Sequence, residues 1–326
     1  MRWETGNVGP AWRMIKRMPE LPDVTIYVER MAARLVGHAI ERVTIAKPFV
    51  LRTVDPPIEA LVGRPVVDVR RLGKRIVLAL DGDLYLIFHL MIAGRLRWRD
   101  TGLAAPTRKG KPGTTGTPAV PPRLVLASLA AAGGTLYFTE AGTTRRASLH
   151  LVQGTAALEA FDRGGLEILD ADAAAFAARL RSENHTLKRA LTDPRLFSGV
   201  GNAYSDEILH RARLSPLALT GKLSPEHAEQ LHRAARDVLT EWTARLRADV
   251  GQGFPETVTA FRDGMAVHGR FGRPCPVCGT PVQRIRYAAN ETNYCARCQT
   301  GGRLLADRAL SRLLRQDWPR SIDDVE

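Results

Sequence analysis

The sequence Cys275-Pro-Val-Cys278 is followed, after sixteen residues, by Cys295-Ala-Arg-Cys298, and these are the four cysteines of the 326-residue chain. Two CxxC pairs at this spacing are typical of a tetrahedral zinc site in which two tight turns each supply two thiolates. Disulfides and a CxxC redox pair are the alternatives. Disulfides are disfavoured in an intracellular chain that has no other cysteine, and two CxxC pairs at this distance favour a metal over a redox pair. Residues 282–287 and 292–294 are predicted as strands. The pattern therefore predicts one structural Zn2+ that holds a β-hairpin.

The charge of the chain favours a polyanionic partner. Lys and Arg number 47 against 34 Asp and Glu, a net charge of +13. The segment from Arg262 to Cys298, with both ends included, has six arginines and two acidic residues. Because basic side chains release counterions from phosphates, this excess is typical of nucleic-acid binding, with Arg284 and Arg286 of the hairpin as candidates. The alternative is that the zinc finger only stabilises the fold and does not contact nucleic acid.

Composition excludes several classes of protein. With 44% hydrophobic and 25% charged residues, the chain is neither disordered nor collagen-like. Its longest apolar run, residues 84–90, is too short to cross a membrane, and residues 1–17 have no apolar core of signal-peptide length. We therefore expect a monomer in the cytoplasm, associated with the nucleoid, with no membrane partner.

The periodicity of apolar residues divides the remaining chain into two regions. Val24, Val28, Met31 and Leu35 predict an amphipathic helix over residues 22–36. Eight short β-rich runs follow up to residue 152, and Asp81-Gly82-Asp83 between two of them is a hairpin signal. Helical patterns begin after residue 154. The order predicts an α+β fold with a β-sandwich or barrel first and helices second.

A glycine turn joins two of the predicted helices. Gly199 and Gly201 in Ser198-Gly-Val-Gly-Asn202 allow a phosphate to approach backbone N–H groups at the start of the second helix. A plain helix connection is the alternative on this motif alone.

Three motifs in order carry a resemblance: Met18-Pro-Glu-Leu-Pro-Asp-Val24, Gly199-Val-Gly-Asn-Ala-Tyr204 and the four-cysteine finger. Together they resemble the formamidopyrimidine-DNA glycosylase and endonuclease VIII family of DNA repair enzymes, over residues 18–300. The resemblance implies an N-terminal helix with a β-sandwich, a helix-two-turn-helix domain and a zinc-finger hairpin. The expected divisions are an extension (1–17), a catalytic β-sandwich domain (18–153) with a mobile loop (100–122), a helix-two-turn-helix domain (154–262), the finger (263–300) and a helical tail (301–326).

The resemblance implies a bifunctional DNA glycosylase and abasic-site lyase that acts on damaged double-stranded DNA. Pro19 would be the nucleophile and Glu20 the general acid and base. An α-amine has a pKa near 8, against about 10.4 for Lys, so a terminal proline keeps an unprotonated fraction at neutral pH. Lys74 and Asn202 match residues that contact the phosphates around the lesion. Asp23 occupies a family glutamate position.

Other positions depart from the family pattern. Ile92 occupies the position of the family methionine that inserts into the DNA stack. In the second loop that inserts into the DNA in this family, Arg146 is the residue that could still do so. Asn290 stands where the finger tip has an arginine, so Arg284 or Arg286 would supply that phosphate contact. The segment 257–268 is too short for the loop that caps 8-oxoguanine. Oxidised pyrimidines or ring-opened purines are therefore the expected substrates.

The residues before Met18 conflict with this chemistry, since an internal proline is a tertiary amide without a nucleophilic lone pair. We expect the active form to begin at Pro19, after translation from Met18 and removal of that methionine. A non-catalytic binder of damaged DNA on the same scaffold is the alternative, and an RNA-binding zinc-finger protein is a further one.

In the tail, Leu304, Leu305, Leu310 and Leu314 predict an amphipathic helix that packs on the finger or the helical domain.

Overall fold

The computed structural model describes residues 18–101, 120–142, 145–256, 262–287, 290–306, 312 and 319–325. Its elements are, in order, α1 (Leu21–Leu35), β1 (Ile40–Ile45), β2 (Val66–Leu72), β3 (Arg75–Leu80), β4 (Leu84–His89), β5 (Gly94–Asp100), β6 (Val125–Ala131), β7 (Gly134–Glu140), β8 (Ser148–Gln153), α2 (Thr155–Glu159), α3 (Ala173–Arg181), α4 (Leu187–Thr192), α5 (Asn202–Arg211), α6 (Pro225–Val250), β9 (Gln283–Tyr287), β10 (Asn290–Tyr294) and α7 (Ala296–Thr300). This is the α+β order that the sequence predicts. No helix among these residues is both long enough and apolar enough to span a bilayer.

Strands β1 to β8 form two four-stranded antiparallel sheets that pack as a sandwich. Their strand orders are β1-β6-β7-β5 and β2-β3-β4-β8. The apolar face of α1 belongs to the same core as the inner faces of the strands. Leu80 pairs with Leu84 across the predicted hairpin turn, where Gly82 has a φ of 79°. Helix α1 is therefore packed on the sandwich through its apolar face, from Val24 to Leu35.

The helical domain has its own core. Phe176, Phe197, Tyr204 and Trp242 are among its buried members, and Leu21 at the start of α1 packs into it. At the start of α6 the Ser224 side chain accepts a hydrogen bond from His227 N, and Pro225 is the first helical residue. Helix α1 therefore begins at the junction of the two domains.

The finger hairpin forms as predicted, with Thr292 opposite Ile285 in the β9–β10 pair. The tail packs on it, because Leu305 and Ile322 share a small core with Ile285 and Tyr294. The predicted tail helix is wrong at its start: residues 304–306 are not helical, and Leu304 N donates to Arg320 O at 2.9 Å. The rest of that predicted helix, and the loop at 102–119, lie outside the described residues apart from residue 312.

Candidate active site at the domain junction

The Glu20 carboxylate, which is 3% exposed, binds the amino end of α5. Its Oε2 accepts hydrogen bonds from Gly201 N at 2.7 Å and Tyr204 N at 3.2 Å, and its Oε1 accepts one from Ala203 N at 2.9 Å. The first N–H groups of a helix have no partners within the helix, and its dipole favours an anion there. The glycine turn therefore fixes the acid of the amino-terminal motif.

Glycine is required at position 201 because the site is built against its α-carbon. A Cβ there would lie 2.4 Å from Glu20 Cδ and 2.7 Å from Lys74 Nζ. Lys74 is in the two-residue turn between β2 and β3, so the β-sandwich supplies the ammonium group and the helical domain supplies the turn. Burial lowers the pKa of Lys74 below its ordinary value, while Glu20 acts in the opposite direction.

Pro19 is buried directly before Glu20, and Met18 is half-buried. A cavity of about 340 Å³ opens beside them and is lined by Met18, Lys74, His89 and Met91, among others. Met91 has a φ of 51°, a left-handed conformation that side chains other than glycine rarely adopt. Its neighbour Ile92, the sequence candidate for insertion into DNA, is 37% exposed. No sequence pattern indicated Met91 as a cavity residue.

A second cavity, of about 900 Å³, lies on the other side of Lys74 between the helical domain and the finger. It is lined by Lys74, Lys188, Arg189, Asn202 and Thr292, among others. Lys188 Nζ donates to Asn202 O at 2.7 Å, and Asn202 Nδ2 donates to Glu291 O at 2.8 Å. Asn202 therefore links the glycine turn to the finger, and three cationic side chains line the cavity.

Two buried acids of α5 join the helical domain to the segment that enters the finger. Asp206 accepts hydrogen bonds from Lys188 Nζ, His268 Nδ1 and Asn293 Nδ2. Burial alone would raise the pKa of Asp206, but Lys188 and His268 outweigh it and hold that pKa below its ordinary value. Glu207 accepts three backbone N–H bonds from residues 266–268, at 2.7 to 3.0 Å. No sequence pattern indicated these long-range partners.

Asp23 lies at the start of α1, 5% exposed, and makes two contacts. Its Oδ2 accepts a hydrogen bond from Glu20 N at 2.9 Å, and its Oδ1 pairs with Arg262. Burial raises the pKa of Asp23 above its ordinary value, although Arg262 acts in the opposite direction. Asp23 is thus next to the proposed acid, and Arg262 is a partner that the sequence analysis did not identify.

Arg146 is exposed at the rim of the β-sandwich. Its backbone N donates to Glu140 Oε1 at 3.0 Å, as does Ala147 N at 3.2 Å, so the end of this loop is anchored by a buried acid of β7. Residues 143–144 lie outside the described residues.

The finger arginines occupy different environments. Arg284 lies over the Phe271 ring at 4.0 Å and is 3.8 Å from Glu291 Oε2, whereas Arg286 is exposed on β9. Strand β10 begins at Asn290, and residues 288–289 of the tip lie outside the described residues.

The four cysteines fit a tetrahedral metal ion. Their sulfurs lie within 4.8 Å of one another, with Cys275 Sγ 3.9 Å from Cys298 Sγ and Cys278 Sγ 3.3 Å from Cys295 Sγ. Bonds of about 2.3 Å from Zn2+ to four thiolates require separations of about 3.8 Å. The predicted structural zinc site, with one Zn2+, is confirmed.

A β-sandwich, a helix-two-turn-helix domain and a four-cysteine finger that meet at one basic junction define a class of DNA repair proteins. The chain matches the formamidopyrimidine-DNA glycosylase N-terminal domain over residues 18–146, the H2TH domain of the same enzymes over 166–248, and a zinc finger found in FPG and IleRS over 272–301. It is 33% identical over 291 residues to the formamidopyrimidine-DNA glycosylase of Thermus thermophilus, in an alignment that covers 87% of this chain and 100% of the relative. The chain belongs to the formamidopyrimidine-DNA glycosylase family.

The chain is also similar to an uncharacterized relative and to solved structures. A Mycobacterium tuberculosis protein described as an uncharacterized formamidopyrimidine-DNA glycosylase-like protein is 44% identical over 151 residues, which are 46% of this chain and 94% of that protein. The crystal structure of MutM (Fpg) from Thermus thermophilus superimposes with a TM-score of 0.67 at 32% identity, and the match covers 86% of this chain and 98% of that one. A Lactococcus lactis FPG mutant in complex with DNA that contains Fapy-dG has a TM-score of 0.70 at 24% identity, with coverages of 86% and 100%.

Proposed function

We propose that this protein is a bifunctional DNA glycosylase and abasic-site lyase that acts as a monomer on damaged duplex DNA inside the cell. The observation that carries the proposal is the Glu20 carboxylate, held by three backbone N–H groups directly after Pro19 and next to the Lys74 ammonium. A nucleophile, an acid and a phosphate-binding cation would then meet at one point between the domains.

In the proposed reaction, the free nitrogen of Pro19 attacks C1′ of the damaged nucleotide as the bond from C1′ to the base breaks. The Glu20 carboxylate takes the proton that the Pro19 nitrogen releases on attack and donates it to the sugar ring oxygen or to the departing base, and opening of the ring gives an iminium at C1′. The Glu20 carboxylate then takes a proton from C2′, and the C3′–O bond breaks, which expels the 3′ phosphate by elimination. Water hydrolyses the remaining iminium and releases Pro19.

Lys74 has a positioning task in this scheme. Its ammonium lies between the two cavities and next to Glu20, where a backbone phosphate of an extruded nucleotide would neutralise it. Lys188 and Asn202 line the larger cavity and would contact the same backbone. Arg146, Ile92, Arg284 and Arg286 are the proposed contacts further along the duplex.

The reaction requires a free amine at residue 19, so the active form is proposed to begin there. The test uses two preparations with zinc loaded: one translated from Met18, its Pro19 terminus verified by intact mass, and one that retains residues 1–17. Both are incubated with abasic duplex DNA and borohydride, which reduces an iminium to a stable adduct. We expect an adduct only with the first preparation.

A folded protein with the Pro19 terminus and no adduct would leave the alternative, a non-catalytic binder of damaged DNA, as the function. An adduct of equal yield from the extended chain would exclude Pro19 as the nucleophile. Pro19→Gly retains a terminal amine that can also form a reducible imine, so this variant should still give an adduct.

The proposed substrates are oxidised pyrimidines and ring-opened purines. The short segment at 257–268 supports this choice over 8-oxoguanine. Duplexes with a single lesion, scored separately for base release and for strand nicking, test it. Preferential release of 8-oxoguanine would contradict the substrate proposal and leave the chemistry at Pro19 intact.

A further inference from the structure

The zinc site has a contact that comes from outside the finger. His210 on α5 places Nε2 3.3 Å from Cys275 Sγ, and these two residues are 6% and 2% exposed. Cys275 and Cys295 are the two buried members of the cysteine cluster, whereas Cys278 is exposed and Cys298 is half-buried.

The direction of this hydrogen bond follows from the chemistry of the site. A zinc-bound cysteine is a thiolate without a proton, so it can only accept, and His210 Nε2–H must donate. A negative sulfur in a buried environment is costly unless a donor stabilises it. Hydrogen bonds of this kind from outside the ligand set orient metal ligands and tune the metal.

The surrounding contacts hold the donor in place. Helix α5 is bound to the finger through Asn202, whose Nδ2 donates to Glu291 O at 2.8 Å, and through Asp206, which accepts from Asn293. The second buried ligand is tied to the same domain, since Cys295 N donates to Gln299 Oε1 at 2.8 Å and Gln299 Nε2 donates to Leu214 O at 2.9 Å. The His210 ring therefore meets Cys275 at a fixed position.

We propose that His210 is a positioning residue of the zinc site, which donates Nε2–H to the Cys275 thiolate and so strengthens the binding of the metal. This role belongs to the helical domain acting on the finger, and it does not depend on whether the protein cleaves DNA. It also means that zinc retention requires the helical domain to be docked, as well as the four cysteines to be present.

The test uses the full chain with zinc loaded and three variants. His210→Phe keeps a ring and removes the donor, and His210→Gln replaces Nε2–H with an amide N–H of similar reach. His232→Phe is the matched control, because this α6 histidine is 5% exposed and its Nε2 lies 3.1 Å from Ala171 O, away from the finger. Zinc transfer to a chromogenic chelator is measured for each.

We expect His210→Phe to weaken zinc binding by about 10-fold or more. His210→Gln should remain within about threefold of the unmodified chain, and His232→Phe should not differ from it. In the Co2+-substituted protein, His210→Phe should move the thiolate-to-metal charge-transfer band to lower energy, because a thiolate without its hydrogen bond is a better electron donor. A change in packing alone would not produce that shift together with rescue by Gln.

Two results would overturn the proposal. One is wild-type zinc transfer and an unshifted cobalt band in His210→Phe. The other is equal loss in His210→Phe and His210→Gln, which would assign the effect to shape. If the Phe variant does not fold, His210→Met, which also lacks a donor, takes its place in the same comparison.

Discussion

The replacement Gly201→Ala tests whether the glycine turn fixes the proposed acid. The new Cβ would lie 2.4 Å from Glu20 Cδ, whereas carbon atoms in contact are separated by about 3.5 Å or more, so the carboxylate must retreat by about 1 Å. That shift breaks the hydrogen bonds of 2.7, 2.9 and 3.2 Å to the amino end of α5. Lys74 Nζ, 2.7 Å from the same Cβ, must move as well.

A displacement of about 1 Å in a catalytic group lowers the rate by about 100-fold. We expect that loss in single-turnover cleavage of abasic duplex by the form that begins at Pro19. Weakening the hydrogen bonds of a buried carboxylate should also lower the free energy of unfolding by about 3 kcal/mol, measured in guanidinium chloride. Binding to an uncleavable abasic analogue should change less than the rate, since Lys188 and Arg189 of the second cavity remain in place.

Gly221→Ala is the matched control, because its Cβ would approach only the amide end of Asn184, at 3.0 Å, and that side chain can rotate. It should leave cleavage unchanged. A folded Gly201→Ala protein that cleaves within threefold of the unmodified chain would contradict this prediction. The acid would then act without the support of the turn.

Two further predictions concern buried charges. Asp206→Ala should lower the free energy of unfolding by about 3 to 5 kcal/mol, because it removes the buried carboxylate that pairs with Lys188. The double variant Asp206→Asn with Lys188→Met should recover most of this loss. A loss below about 1 kcal/mol in Asp206→Ala would contradict a stabilising Asp206–Lys188 ion pair. Burial and the charge of Arg75 lower the pKa of His89 to about 4, so between pH 4 and 6.5 the unfolded chain binds the extra proton and stability falls as the pH falls. His89→Gln should flatten the pH dependence of unfolding by at most about 1.4 kcal/mol per pH unit in that interval, and an unchanged dependence would show that this imidazole is protonated in the folded state.

The local sequence pattern was sufficient to predict the secondary-structure elements and the metal site. Helix α1 and the two strands of the finger hairpin lie within two residues of their predicted positions, because alternation and 3.6-residue periodicity are encoded in adjacent residues. The finger was predictable because a thiolate pair on a tight turn has few other uses. The tail was not: leucines at helical spacing predicted a helix at residue 304, but backbone pairing with Arg320 prevails there.

The partners of the site could not be read from the sequence. Asp206 is one acid in a helical run, and nothing near it indicates that it will meet Lys188, His268 and Asn293 from three other segments. Arg262 is likewise distant in sequence from Asp23. Such pairs exist only when the helical domain, α1 and the finger are assembled, and burial then makes each contact obligatory, since an isolated charge there would be too costly.

Helix α5 is the element that unites these observations. Its first N–H groups bind Glu20, its middle holds the Lys188 and His268 network through Asp206, and its last turn places His210 against a zinc ligand. Ten residues of helix span only about 15 Å, and a packed helix moves as a unit. A change in how the finger docks on this helix therefore also displaces the turn that holds the acid. The metal site and the carboxylate proposed as the catalytic acid are parts of one assembly, although more than 250 residues separate them in the chain.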